Sequence, residues 1–591
     1  MASCNQQQQA PALVVEHQGD TLSVITVTNA SRYLLLPIQE DCNEVPVLLN
    51  TGNPATDTWM DIRLAIDSAD YYVPFALPEG QSARIDVRLL PATAAAWDLI
   101  QLSDTFDTSN REYYRPLYHH TPLYGWMNDP NGMVYQDGEY HLYYQYNPYG
   151  SKWGNLSWGH SVSRDMVHWE HLSPAIVRDN NGHIFSGSST VARTVASDID
   201  PLSADSLLPG NGGADDFIAA MYTYDNGKLP AELVQQQSLA ISTDRGRTFR
   251  KLGAPMLHSD GRRDFRDPKL FWNEQAHAWG VIISAFNEMQ FYSSPNLRDW
   301  TYVSAFGDGY GAHPRMFECP DFFALPTEES NAALPQKWVM LVNVNPGCWF
   351  GGSATEYFVG DYDGTTFTCD SKPETVKWLD WGKDHYAAVT FANEPKGRII
   401  SIPWMSNWQY ANDLPTQQYR SANGIARQLF LFAAPADSKS PKPEYYVGQR
   451  PADEVMSALH FGEPTAEMPA ENDGALLIDL DLADNGQFSI SNAQGELVTF
   501  SIRNGLLTMD RNQSGIICRD DFAVPTWAPI RQLCGSKDSY HLQLWLDRCS
   551  IELFVDGGRT SMTNLVFPHT PYNHIEGKGL SNLQVRTISL E

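Results

Sequence analysis

The chain has 591 residues, 42% of them hydrophobic and 19% charged, enough for two to four globular domains of ordinary composition. A net charge of −29 argues against nucleic acid or an anionic membrane surface as partner, and no apolar run is long enough to cross a bilayer as a helix. Aromatic residues reach 12%, with 17 Trp and 27 Tyr, flat faces that suit either sugar rings or an ordinary core.

Residues 1–10 read as a polar tail. Met1-Ala2-Ser3-Cys4 followed by Asn5-Gln6-Gln7-Gln8-Gln9 resembles the mature start of a bacterial lipoprotein, with small residues before a lipid-bearing Cys4 and a tether after it. The competing reading is a disordered tail without chemistry. The first predicts an envelope address, periplasmic because no acidic cluster follows Cys4, with the cell surface as alternative. The eight cysteines (4, 42, 319, 348, 369, 518, 534, 549) contain no C-x-x-C pair, so free buried thiols are expected rather than a zinc site.

Residues 11–112 alternate. Thr21 to Val27 and Ala83 to Leu89 have period two, and Gly52-Asn53-Pro54 is a turn signal, which predicts a small β-sandwich. Trp59, Tyr71, Tyr72 and Trp97 there are expected in the core or at a domain interface; a sugar platform is the other reading.

Residues 113–435 repeat. Paired apolar runs occur at Gly132 to Tyr146, Phe217 to Ser242, Lys269 to Ala285, Asp321 to Val344 and Tyr386 to Trp404. Between the runs recurs a Ser/Pro-x-Asp/Leu signature with an aromatic after it, as in Ser163-Arg164-Asp165 with Trp169 and Pro295-Asn296-Leu297 with Trp300. Similar sheets repeating radially predict a five-bladed β-propeller. Ala433 to Pro443 reads as a Pro/Ser/Lys linker. Residues 436–591 comprise that linker and a second, C-terminal β-sandwich, with alternation at Leu542, Leu544, Leu546 and at Ile551, Leu553, Val555. The expected class is all-β.

Three acids stand out against this frame. Asp129 precedes Pro130 in Trp126-Met127-Asn128-Asp129-Pro130-Asn131-Gly132. Asp267 precedes Pro268 in Arg266-Asp267-Pro268, and Glu318 lies two before Pro320 in Glu318-Cys319-Pro320. Each opens an apolar strand, at whose mouth a proline is tolerated. If those strands are equivalent, the acids converge at one end of the funnel. Two carboxylates flanking a bond, with a third nearby, are the equipment of glycoside hydrolysis. Arg266 is expected to keep Asp267 ionised. No cofactor is implied, and no His or further acid completes a metal ligand set.

These three motifs in this order resemble the signatures of glycoside hydrolase family 32, the invertases, inulinases, levanases and fructan exohydrolases. The similarity runs over about residues 115 to 591, through Phe185-Ser186-Gly187-Ser188, Trp404-Met405-Ser406-Asn407-Trp408 and Asp547-Arg548-Cys549-Ser550-Ile551-Glu552. It implies a five-bladed propeller followed by a β-sandwich. It also implies Asp129 as nucleophile, Asp267 as transition-state stabiliser and Glu318 as acid/base. Asn128, Gln145, Trp153, Phe185, Ser186, Arg266 and Trp404 match positions that hold the fructosyl unit, with Trp126, Trp153, Phe185 and Trp404 as walls. His385 and Cys549 depart from the usual pattern. The first ~110 residues resemble an N-terminal module of Bacteroides-type members. The expectation is a retaining, exo-acting, monomeric fructan β-fructosidase acting on levan, inulin or sucrose. An endo-levanase and a non-catalytic carbohydrate-binding propeller are the alternatives.

Overall fold

The computed structural model describes residues 12–590 apart from 20, 53–56, 110, 196–199, 214–215, 313–315, 329–335 and 435–443; the tail with Cys4 lies outside the described residues. The alternating N-terminal runs form strands Leu22–Thr28 and Ala83–Arg88, paired antiparallel within a five-stranded sheet. A three-stranded sheet covers it. Ile25, Val27, Ile85 and Val87 pack with Leu34, Leu36, Val73 and Phe75 in one buried core. Period two puts every second side chain on that inner face.

Five sheets follow, each a blade. Their innermost strands are Gly125–Gln136, His183–Thr194, Phe265–Asn273, Phe317–Leu325 and Tyr386–Thr390. Each lies against the next, and the fifth lies against the first, so the ring is closed. The strand Tyr419–Arg420 adds in parallel to Gly125 and Trp126 and helps to lock the closure. The recurring polar-aromatic signature caps the turn between third and fourth strands. In blade 1 the Ser163 Oγ accepts the Met166 N–H (2.8 Å), and in blade 3 the Trp300 indole donates to the Leu297 carbonyl (3.1 Å).

Two expectations about the elements need correction. In blade 2 the strand on the axis is His183–Thr194, while the expected run Phe217–Asp225 is second. His183–Thr194 does not read as an apolar run because most of its residues are small or polar, with Ile184, Phe185, Val191 and Ala192 as the exceptions. The Pro/Ser/Lys segment is not an interdomain linker either. It lies between Arg427–Ala433 and Tyr445–Pro451, which pair as third and fourth strands of blade 5; residues 435–443 of it lie outside the described residues. The propeller therefore runs to Pro451 rather than to residue 435, because a turn of this composition serves inside a blade as well as between domains.

The C-terminal sandwich is built around the 16-residue strand Leu476–Ser491. Its first half pairs with Ser539–Asp547 and its second half with Leu497–Arg503, so one bent strand feeds both layers. Leu476, Ile478, Leu480, Leu542, Leu544, Ile551, Leu553 and Val555 are buried in the shared core. The seven described cysteines are unpaired; Cys319, Cys534 and Cys549 are buried, and the other four are only partly so.

Candidate active site

Each innermost strand breaks register with its neighbour at the same level. The interruptions fall opposite Asn128 and Asp129, at Ser186, at Asp267-Pro268, at Cys319-Pro320 and at Ala387-Ala388. A bulge leaves residues out of the ladder, bends the strand and re-aims side chains. It also explains the prolines: Pro130, Pro268 and Pro320 sit inside strands rather than at their first residue. Inner-edge strands and bulges have ladder positions where a missing N–H costs nothing. Asp267, Cys319 and Ala387 take left-handed backbone, with φ of 62°, 40° and 51°, a strain of about 1–3 kcal/mol for a non-glycine residue. At Asp267 it is held by its N–H donating to Thr223 Oγ1 (3.1 Å), and Thr223 in turn donates to Gln237 Oε1 (2.7 Å).

The bulges bring the three acids together. Ser186 Oγ donates to Asp129 Oδ2 (2.8 Å), and the Cys319 thiol approaches the same oxygen (3.4 Å). The Cys319 N–H donates to Asp267 Oδ2 (2.9 Å). Arg266 donates through Nη2 to Glu318 Oε1 (2.6 Å), while its Nε lies 3.7 Å from Asp267 Oδ2. Its remaining nitrogen, Nη1, donates to Asp264 (2.7 Å). The Tyr386 hydroxyl donates to Glu318 Oε2. Asp129 Oδ1 is buried without a partner among the described residues. Below the acids, Lys269 pairs with Asp321 (2.9 Å) and the Thr390 N–H donates to the same carboxylate (2.6 Å), tying the inner strands of blades 3, 4 and 5.

Burial is the largest influence on the acids' titration. It pushes the Asp129 carboxyl up, opposed by the nearby Asn128 amide and the Ser186 hydroxyl and reinforced by the Glu318 charge. Burial also drives Asp267 up to about 7, with Arg266 opposing and Glu318 and Asp129 adding. Arg266 is the largest influence opposing burial at Asp267, but it does not cancel it. Arg266 places its shortest bonds on Glu318 and Asp264, and a 3.7 Å contact does not offset full burial beside two other acids.

Asn128 is buried and accepts from the Trp126 indole (2.8 Å). Gln145 lies across from the blade 1 bulge, buried, with both amide atoms unpartnered among the described residues. Trp153 is 40% exposed and meets the half-buried Phe185 edge-on at 6.3 Å. Trp126 and Trp404, expected as walls, have no exposed surface at all. They back the site behind the half-buried Trp408, whose ring stacks on Trp126 at 5.9 Å and lies tilted against Trp404 at 4.8 Å. The reading by motif missed Tyr386, Cys319 and Trp408. The signal for Tyr386 was its place at the start of the fifth inner strand, equivalent to the acids' strands.

Comparison with known proteins agrees with this geometry. Residues 119–440 match the model of the glycosyl hydrolases family 32 N-terminal domain, and residues 461–587 match that of the family 32 C-terminal domain. Residues 19–118 match a domain of unknown function, DUF4980. The chain is 37% identical over 501 residues to a levanase of Bacillus subtilis (strain 168), covering 80% of this chain and 69% of that one. It is 31% identical over 524 residues to an extracellular exo-inulinase of Aspergillus awamori, covering 82% and 95%. The crystal structure of the Aspergillus awamori exo-inulinase superposes with a TM-score of 0.69 at 30% identity, over 82% of this chain and 99% of that one. A fructofuranosidase of Schwanniomyces occidentalis complexed with fructose gives 0.68 at 29% identity, over 82% and 100%. A closed five-bladed ring with three carboxylates at one mouth and a sandwich behind it defines a glycoside hydrolase. The chain belongs to glycoside hydrolase family 32.

Proposed function

We propose that this enzyme is a retaining fructan β-fructosidase that removes terminal fructose from levan or inulin-type chains and from sucrose. The observation that carries the reading is the convergence of Asp129, Asp267 and Glu318 on bulges of three different inner strands, around Cys319 and Arg266. In this scheme Asp129 attacks the anomeric carbon of the terminal fructosyl unit as Glu318 gives its proton to the departing oxygen. A fructosyl–enzyme ester forms. Water then attacks that carbon, Glu318 takes the water's proton, and Asp129 leaves as carboxylate. Asp267 bonds sugar hydroxyls and responds to charge building on the ring. Arg266 and Tyr386 hold the two oxygens of Glu318, so its carboxyl is pre-positioned.

Trp153 and Phe185 form a rim beside Ser186 and Asp129, while Asn128, Gln145 and Arg266 offer polar atoms to the terminal hydroxyls. A site that bonds hydroxyls rejects ligands lacking them. The test is product analysis in the first minutes on levan, inulin and sucrose. Fructose alone is expected from the polymers, and a ladder of oligosaccharides would establish the endo-levanase reading instead. Methanolysis should give the methyl β-fructoside, and an α product would refute the retaining scheme.

The envelope address is part of the same reading. Cys4 carries the lipid, the polar tail tethers a monomer, and the enzyme meets its substrate in the periplasm. Radiolabelled palmitate should enter the wild type but not Cys4→Ser, intact cells should protect the enzyme from added protease, and sedimentation should give a single chain's mass.

A further inference from the structure

We propose that Phe286 is the platform on which the departing sugar unit rests, so that it sets which β-fructosides the enzyme cleaves efficiently; this depends on the fructosidase reading above. Phe286 lies at the tip of a hairpin in blade 3, between the strands Ala278–Ala285 and Glu288–Ser294. Ala285 pairs with Glu288, so the turn is Phe286-Asn287 alone. Ala285 also pairs with Phe265, and Ser284 with Arg266. The turn therefore stands at the catalytic end, level with the start of the strand that carries Asp267.

Phe286 has a φ of 62°, at the turn position where two-residue hairpins favour Gly, Asn or Asp. A bulky side chain on left-handed backbone is an outlier. This one gains little burial in return, since Phe286 is 43% exposed.

The backbone of the turn has a structural task. The Phe286 carbonyl accepts the Phe317 N–H (2.8 Å), and the Ser284 hydroxyl donates to the Phe317 carbonyl. The residue before Glu318 is thereby held through both its N–H and its carbonyl. Arg262 Nη1 donates to the Ala285 carbonyl (2.9 Å) and to Glu288 (2.7 Å), and Asn287 Nδ2 donates to Asp308 (2.8 Å). None of these bonds uses the Phe286 side chain. Glycine would present the same carbonyl at lower backbone cost. The phenyl ring is the part of the turn that the fold does not require, and strain kept for such a ring points to a ligand.

Position and chemistry name that ligand. Glu318 gives its proton to the departing oxygen, so the departing unit lies on the Glu318 side of the bond. The hairpin that grips Phe317 stands on that side, whereas Trp153 and Phe185 form the rim beside Ser186 and Asp129. A phenyl face carries no hydrogen-bonding group and offers apolar contact to C–H groups. The charges at the base of the turn are already paired, Arg262 with Glu288 (2.7 Å) and with Asp260 (3.3 Å). What fits is a neutral sugar ring: the glucose of sucrose, or the next fructose of a fructan. A departing methanol is too small to cover the phenyl face.

The test compares Phe286→Gly and Phe286→Tyr with wild type on sucrose, on inulin-type and levan-type disaccharides, and on methyl β-fructoside, which has no sugar on the departing side. Phe286→Gly should melt at or above the wild-type temperature, because glycine relieves the left-handed backbone. Its kcat/KM should fall about three- to tenfold on each disaccharide, the loss expected for one aromatic contact, and stay within about twofold on methyl β-fructoside. Phe286→Tyr keeps the ring and should stay within about twofold of wild type on all four. Unchanged values for Phe286→Gly on the disaccharides overturn the proposal alone. So does an equal fall on methyl β-fructoside, which would mean that the turn acts by positioning Glu318. Should the wild type hydrolyse none of the four, the fructosidase reading fails and the proposal with it.

Discussion

At the scale of single residues, the site is a set of carboxylates held at close quarters by a few donors. Asp129→Asn removes the attacking oxygen and Glu318→Gln removes the proton carrier. Either should cut kcat by about three orders of magnitude or more, with thermal midpoints close to wild type; a variant keeping a tenth of the activity would refute the assigned role. Ser186 tests a finer point. Its hydroxyl bonds Asp129 Oδ2 at 2.8 Å and opposes the upward push of burial. Ser186→Ala should raise the Asp129 pKa and move the acidic limb of kcat/KM to higher pH. A limb that stays in place would show that Ser186 does not bear on Asp129. The three acids were legible because each carries its own turn chemistry, a proline within two residues and an apolar strand behind it. Tyr386 was not, since Tyr386-Ala387-Ala388 has no proline and its bulge is visible only in the register with Trp404 and Ile402. Arg266 shows the same limit at Asp267. Sequence places Arg266 beside it, but only coordinates show that the guanidinium turns to Glu318 and Asp264.

At the scale of elements, the N-terminal module braces one rim of the site. The blade 1 loop carrying Trp153 is gripped on both sides. Before it, the Ser151 N–H donates to the Tyr71 hydroxyl (2.9 Å), Ser151 Oγ bonds Glu40, and Lys152 Nζ donates to the Glu40 carbonyl (3.2 Å). After it, Asn155 exchanges two bonds with the Asp61 backbone (3.0 and 2.8 Å). Glu40 also pairs with the buried Arg420 (3.1 Å). Fixing a loop lowers the entropy lost when substrate binds against it. Tyr71→Phe should therefore raise KM by roughly two- to fivefold with little change in kcat, and the effect should vanish in a Trp153→Ala background. Additive losses in that double-mutant cycle would show that Tyr71 acts elsewhere. The sequence placed Tyr71 correctly at a core or interface. It could not show which loop Tyr71 meets, because Tyr71 and Ser151 are eighty positions apart. Blade 2 shows the same limit. Its inner strand His183–Thr194 is rich in small polar residues, whereas Phe217–Asp225 is a nearly continuous apolar run, so the second strand rather than the inner one stands out in the sequence.

At the scale of the whole molecule, propeller and sandwich are joined by a buried charge network. Arg427, fully buried, bonds Asp380 (3.0 Å) and Glu552. His119, at the propeller's first residues, lies between Asp547 (2.8 Å) and Glu552 (2.7 Å) of the sandwich. Burial pulls the His119 imidazole down, but its hydrogen bonds to Asp547 and Glu552 outweigh that and hold it up to about 9. Burial pushes Glu552 up, and Arg427 and His119 outweigh that and bring it to about 2. These shifts set the pH dependence of the junction. The folded protein keeps the His119 proton to about pH 9, whereas the unfolded chain releases it near the ordinary 6.5. Between those values the folded state binds more protons, so stability falls as pH rises through the window. For Glu552 the stabilisation is complete above the ordinary 4.5 and is lost as pH falls towards 2. His119→Gln leaves two buried carboxylates short of a cation and should cost about 3–5 kcal/mol near pH 6. That deficit should shrink between about pH 6.5 and 9, as the wild type loses its own advantage. Thermal melts of both proteins across this range measure it. A deficit constant from pH 6 to 9 would mean that His119 is neutral in the folded protein and that the junction is held by Arg427 alone.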